Sequence, residues 1–267
     1  VLSRSDFYRR RKMLLKFFVC FFAGMGAGLG TGFAGMSAAA AISPMLITFL
    51  NMEAYQAVGI ALASDVLASA VSAWTYGRNK NLDIKNGAVM MASVLCFTLV
   101  GSYVSSFVPN KTMGGFSMFM TLMMGIKFIV RPVMTTRESS EQSDPKQRLI
   151  RSVVSGMAVG FICGFVGAGG GMMMLLVLTS LLGYDLKTAV GTSVFIMAFT
   201  AFTGSVSHFA IGGVGDMTCL VFCILSTLIW ARIAARFANK AEPAVLNRAT
   251  GVVLTVLGVV MVAFHYL

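Results

Sequence analysis

Eight stretches of this chain each run for about 20 residues with almost no charge, the length a helix needs to cross the hydrocarbon of a bilayer. They are residues 13–35, 54–76, 87–107, 112–132, 151–171, 186–211, 217–237 and 246–267. Segments of that kind can enter lipid only if their backbone groups bond within the segment, so each is expected to be a helix. With 57% hydrophobic and 12% charged residues, the chain lies outside the range of soluble domains. The expectation is an all-α polytopic membrane protein that lives in the lipid bilayer. Two further apolar pieces, 37–50 and 172–182, are too short to span and read as half-helices or re-entrant segments.

The net charge of +11 would suit nucleic acid if it were spread over one face, but it is gathered at the ends of the spans. No nucleic-acid partner is expected. Arg4, Arg9, Arg10, Arg11, Lys12 and Lys16 stand at the first span, Arg78, Lys80 and Lys85 in one loop, and Arg131, Arg137, Lys146, Arg148 and Arg151 around the longest linker. If each half crosses four times, these three clusters share one side, which the excess of Lys and Arg makes cytoplasmic. Arg232, Arg236, Lys240 and Arg248 then fall outside, against the rule. The five cysteines lie within spans and are read as lipid-facing or core thiols, without disulfides. No cluster has metal-ligand spacing and no cofactor is expected. The basic start runs into a span without a small-residue cleavage pattern, so no cleavable signal is expected.

Shifted by 132 positions, the chain aligns with itself without a gap from Gly24 to Gly59. Gly24, Gly28, Gly32 and Gly35 meet Gly156, Gly160, Gly164 and Gly167, and Ala57-Val58-Gly59 meets Ala189-Val190-Gly191. The polar segment 135–147 separates the halves. The expected organisation is therefore two homologous four-helix repeats, 1–134 and 148–267, with about eight spans and broken helices after the glycine clusters.

Glycines at every fourth position line one helix face and allow close approach of a neighbour. Gly167, Gly169, Gly170 and Gly171 crowd within five positions, which predicts a break, and a break in hydrocarbon is tolerated where it lines a cavity. The half-helix beginning near Gly170 would point free N–H groups and the positive end of its dipole at an anion. Ser37-Ala38-Ala39 takes the corresponding place in the first half, where Pro44 also argues for a discontinuity.

Few polar side chains lie inside the spans. Thr192 and Ser193 follow the repeated Ala-Val-Gly, where they bond either a ligand or a carbonyl one turn back. Asp65 falls mid-span, where a carboxylate costs at least about 2.5 to 3.5 kcal/mol. It is a candidate for proton coupling, for pairing with Lys127 or Arg232, or for a structural hydrogen bond. Its counterpart is Met197. His208 is expected at the membrane interface, as are Trp74, Tyr76 and Tyr184. It is too isolated for a hydrolytic dyad, and no enzymatic activity is expected.

Together, Gly160-Phe-Ile-Cys-Gly-Phe-Val-Gly-Ala-Gly-Gly-Gly171 and Ala189-Val-Gly-Thr-Ser193 resemble the TauE/SafE family of sulfite and organosulfonate exporters, also called the sulfonate uptake permease family. Gly28 to Gly35, Ala57-Val58-Gly59 and Ala231-Arg-Ile-Ala-Ala-Arg-Phe237 are weaker echoes. Ser37-Ala38-Ala39, Ile60-Ala61 and Asp65 depart from the pattern. The resemblance implies a multi-pass carrier of small sulfur-containing anions in a bacterial inner membrane, driven by an ion gradient. The residues themselves suggest alternating access around a midplane site, with Ser37, Ala38, Ala39, Gly169, Gly170, Gly171, Thr192 and Ser193 on the anion and Asp65 on a coupling proton. A cation or neutral-solute carrier using Asp65, and a membrane subunit that transports nothing, are the other readings. An oligomer is compatible with any of them.

Overall fold

The computed structural model describes residues 4–109, 145–167 and 170–266, with isolated positions between 112 and 130. Every element among them is helical: α1 (Arg4–Ala34), α2 (Ala39–Leu50), α3 (Ala54–Arg78), α4 (Ile84–Ser105), α5 (Pro145–Val166), α6 (Gly170–Leu176, continued by a π turn over Val177–Leu181), α7 (Leu186–Gly212), α8 (Met217–Ala238) and α9 (Pro243–Tyr266). Six helices among the described residues are long and apolar enough to cross a membrane: α1 from Arg10, α3, α4, α5 from Leu149, α7 and α8. The span expected at 112–132 lies largely outside the described residues. At 12 residues α2 is about 18 Å long, well short of a hydrocarbon core of roughly 30 Å. The short pieces are helices in their own right, as expected. Pro44 falls inside α2 and does not break it; the discontinuity precedes the helix.

Acidic residues are spent largely on helix starts. The Asp83 carboxylate accepts from the Asn86 amide at the start of α4, Asp185 from Thr188 at α7, and Asp216 from Thr218 and Cys219 at α8. Each satisfies amides that the first turn leaves without partners. Asp65, by contrast, sits in the middle of a helix, at 0% exposure.

Two structural features lie 132 positions apart. The first residues of α3 and α7, Ala54 and Leu186, are 132 positions apart. So are Gly35 (φ 62°) and Gly167 (φ 70°), the left-handed residues that end the helices before the breaks. The glycine rows do what their period implies, but across the halves. Gly24, Gly28 and Gly32 of α1 lie against α8, where an added Cβ would stand 2.6 Å from Ser226 Cβ, 2.6 Å from the Thr227 carbonyl and 2.7 Å from the Ala231 carbonyl. Gly156, Gly160 and Gly164 of α5 meet Ser93, Val94 and Thr98 of α4 in the same way. Each half thus packs its first helix against the fourth helix of the other. Between these pairs α3 and α7 run antiparallel, crossing at Gly59 against His208 and Phe209, and at Gly191 against Tyr76.

The two ends of the bundle differ from the expected topology. At one end Lys16 of α1 pairs with Asp216 before α8; Gln56 of α3 bonds the Gly212 carbonyl at the end of α7 there. At the other end Asn81 bonds Asn239 at 2.9 Å, Lys187 bonds the Asn239 carbonyl at 2.9 Å, and Tyr184 bonds Asp83 at 2.8 Å. The α3–α4 loop therefore shares its end with Arg232, Arg236 and Lys240, and the N-terminal cluster lies at the opposite one. The expectation that the N-terminal and α3–α4 clusters share a side, with the α8 cluster across from them, is corrected. The physical reason is that α2 and α6 each carry the chain back across the bundle, so α1 and α5 set out from opposite ends.

Because more Lys and Arg gather at the Asn81 end, that end is expected to face the cytoplasm. In a cysteine-free background on intact cells, Asn79→Cys and Lys240→Cys should both resist an impermeant maleimide while Lys12→Cys labels. Opposite labelling of positions 79 and 240 would overturn this arrangement.

Candidate functional site at the helix breaks

The first break is built on Gly35. Its amide donates to the Thr31 carbonyl at 3.0 Å, closing α1, and its positive φ turns the chain toward α2. At the N-terminus of α2 the Ala38 amide donates to Asp65 Oδ2 at 3.0 Å, and the Ala39 amide to Ser37 Oγ at 3.3 Å. Asp65 Oδ1 accepts the Ser69 hydroxyl at 2.8 Å and the Thr31 hydroxyl at 3.5 Å. No hydrogen bond or ion pair joins it to a basic side chain among the described residues: Arg232 is exposed, Lys127 lies outside the described set, and Lys16 pairs with Asp216. A buried carboxylate without a cation needs donors in place of water. Here the positive end of a helix and hydroxyls supply them.

The second break lies back to back with the first. A Cβ on Gly171 would stand 2.6 Å from both the Gly35 carbonyl oxygen and the Ser37 nitrogen, and one on Gly167 would stand 3.1 Å from Ala39 Cβ. Ser193 of α7 joins them, its hydroxyl lying 3.1 Å from the Gly35 carbonyl and 3.2 Å from that of Val190 one turn back. Gly170 faces Cys163 instead of open space.

Of the residues singled out in the sequence, Ser37, Ala38, Ala39, Gly171, Ser193 and Asp65 meet around these breaks. Gly169 lies outside the described residues. Thr192 points elsewhere, its Oγ1 accepting the Asp83 amide at 3.1 Å at the start of α4. Sequence reasoning missed the polar stripe along α3: Asp65, Ser69, Ser72 and Tyr76 follow one another at helical spacing and are all buried. Their period of three to four residues is legible in the sequence. Among the described residues the Ser72 hydroxyl has no hydrogen-bond partner, so this stripe keeps one donor available.

Three residues expected at the interface are elsewhere. Tyr76 is 1% exposed and donates to the Gly32 carbonyl at 3.0 Å. Tyr184 is buried, on Asp83. His208 is 1% exposed, between the carbonyls of Tyr55 and Gly164. Each has a polar atom that a partner helix satisfies, which removes its need for headgroup water; Trp74 does lie exposed. No group of His, Cys, Asp and Glu among the described residues is arranged to hold a metal. All five cysteines are free, Cys96 exposed and the others buried.

Comparison with known proteins points to one family. The family model described as "Sulfite exporter TauE/SafE" matches residues 20–261. The chain is 22% identical to "Probable membrane transporter protein YdhB" of Bacillus subtilis over 88% of its own length and 95% of that protein. It is 24% identical to "Probable membrane transporter protein YunE" of the same organism, over 86% and 89%. No solved structure matches the chain significantly.

The two breaks touch with no room for a side chain between them. Gly171→Ala should lower the stability of the purified protein by about 1–3 kcal/mol, the usual cost of overpacking, read from thermal unfolding. Gly30→Ala, whose nearest neighbour is Met36 Cβ at 3.8 Å, should instead be neutral or stabilise by up to about 1 kcal/mol through helix propensity. Equal effects would show that the contact carries no weight.

Proposed function

Because the chain belongs to the sulfite exporter TauE/SafE family, a family of multi-pass membrane transporters, we propose that it is a secondary transporter of a small anion. The leading substrates are sulfite and organosulfonates, carried across a bacterial inner membrane by alternating access between two halves of opposite orientation. About eight full-length spans, with α2 and α6 as short return pieces, form the scaffold. Discontinuous helices between inverted repeats are a recurrent way to build such a site.

One observation carries the reading: a buried carboxylate accepts the backbone N–H at the start of α2, inside a bundle that lipid surrounds. That seat holds an anionic oxygen without help from a basic side chain. Asp65 is then the protein's own occupant of the place a substrate oxygen takes. Protonating Asp65 replaces the acceptor-only carboxylate with a neutral acid, frees the Ala38 amide and makes the seat available to a sulfite or sulfonate oxygen. Proton and anion would thus bind together, which is the coupling a gradient-driven carrier needs. Ser37, Ala39 and Ser193 border the seat from the first half and α7. Gly170 and Gly171 begin the helix after the facing break, and Ser72 is a buried hydroxyl with no hydrogen-bond partner among the described residues. Thr192 acts at a distance, by holding the α3–α4 loop. Asp65 is surrounded by donors, which favours an anion over a cation in this seat.

The test is flux in liposomes made with the purified protein. Asp65→Asn retains size and hydrogen bonding but cannot titrate. It should abolish the pH dependence of sulfite or sulfonate flux while thermal-shift binding of the anion persists, since bound ligand stabilises the folded state by RT ln(1 + [L]/Kd). Retention of the wild-type pH profile removes Asp65 as the coupling group. Wild-type protein that carries none of a panel of small anions removes the anion reading itself.

A further inference from the structure

Gly32 and Gly164 are 132 positions apart, and so are Tyr76 and His208. Both pairs make the same contact. The Tyr76 hydroxyl donates to the Gly32 carbonyl at 3.0 Å, and His208 Nε2 lies 3.1 Å from the Gly164 carbonyl oxygen. Each carbonyl belongs to the last turn of the helix that ends at a break, where the onward helix that would have bonded it is missing. The two halves solve the same backbone problem with different chemistry. A phenol brings a permanent donor, whereas an imidazole brings a number of donors that depends on its protonation.

The other ring nitrogen of His208 also faces a carbonyl. Nδ1 lies 3.2 Å from the Tyr55 carbonyl oxygen at the start of α3. A neutral imidazole has one N–H and leaves a lone pair pointing at one of these oxygens; an imidazolium donates to both. We propose that His208 is a proton-binding site that latches the end of α5, and with it the second break, to α3 when protonated and releases it when neutral. Protonation forms one N–H bond at the ring nitrogen that carries the lone pair, the proton coming from water, and places the positive charge at the C-terminal end of α5. There the helix dipole and two carbonyl oxygens stand in for solvent.

The surroundings leave little else to control the ring. From α3 the Tyr55 ring packs against it, centroids 4.1 Å apart, with its hydroxyl directed to the Ser102 carbonyl of α4 at 3.2 Å. From α5 the nearby titratable group is Cys163, which is buried against Gly170. Lys85, Cys96 and Tyr103 of α4 are exposed, Asp65 of α3 is held at the first break, and no described ion pair involves the ring. The latch rests on the transporter reading for its consequence alone, which is to make opening of the second break respond to protons separately from Asp65. The contact itself is testable without transport.

The chain has two histidines, so His265→Gln leaves one to observe. In lipid nanodiscs, the ¹⁵N signals of His208 should pass from imidazolium to neutral imidazole between about pH 5 and 8. Hydrogen exchange of amides in 160–171, corrected for intrinsic rate, should speed up tenfold or more across the same transition. His208→Tyr and His208→Gln each present a single donor end, so both should remove the pH dependence and leave that segment fast at every pH. A ring that stays in one protonation state over this range, or exchange that does not follow the ring, overturns the latch. Neither result bears on anion flux, so the transporter reading stands or falls separately.

Discussion

A helix that stops inside hydrocarbon leaves amides and carbonyls that water cannot reach, and most of this structure can be traced to that constraint. At the first break α1 closes on Gly35, the next amides fall to Asp65 and Ser37, and the carbonyls of Gly32 and Gly35 are taken by Tyr76 and Ser193. At the second break the Gly167 amide closes α5 on the Cys163 carbonyl, and His208 stands on Gly164. Every one of these partners other than the local turns comes from α3 or α7. The two central antiparallel helices are therefore the elements that make the breaks affordable in lipid.

The same constraint explains why the breaks lie together. Satisfying two interrupted helices separately would need two sets of buried polar groups, each costly in lipid. Back to back, with Gly171 against Gly35 and Ser37, they share one polar interior inside an otherwise apolar bundle. The exchange of partners, α1 on α8 and α5 on α4, places this interior between the halves. Glycines at every fourth position are what allow those exchanged helices to close on one another, since any side chain there would meet backbone.

The halves share a backbone plan but not a chemistry. Asp65 faces Met197 in the repeat register, Thr31 faces Cys163 and Tyr76 faces His208. The first break thus carries a carboxylate with three donors, while the second has a histidine and a more glycine-rich turn.

By itself the sequence determined the elements. Span length and apolar content dictate helices in lipid, the offset of 132 set which positions correspond, and the glycine clusters marked where the chain must turn, because these follow from local composition and spacing. It also marked Asp65, whose burial in a span is costly wherever it points. Tertiary structure alone decided that the glycine rows pack across halves, and that Asp65 caps α2 where Lys127 and Arg232 were the expected partners. It also turned Tyr76, Tyr184 and His208 inward against protein, where an outward-facing interfacial position was expected, and split the basic clusters between the ends differently from the four-crossing count. These are matters of which helix faces which. A hydrogen bond between residues 27 or 158 positions apart leaves no periodic trace in either segment, and a short helix that carries the chain back reverses everything after it without changing the apolar pattern on either side.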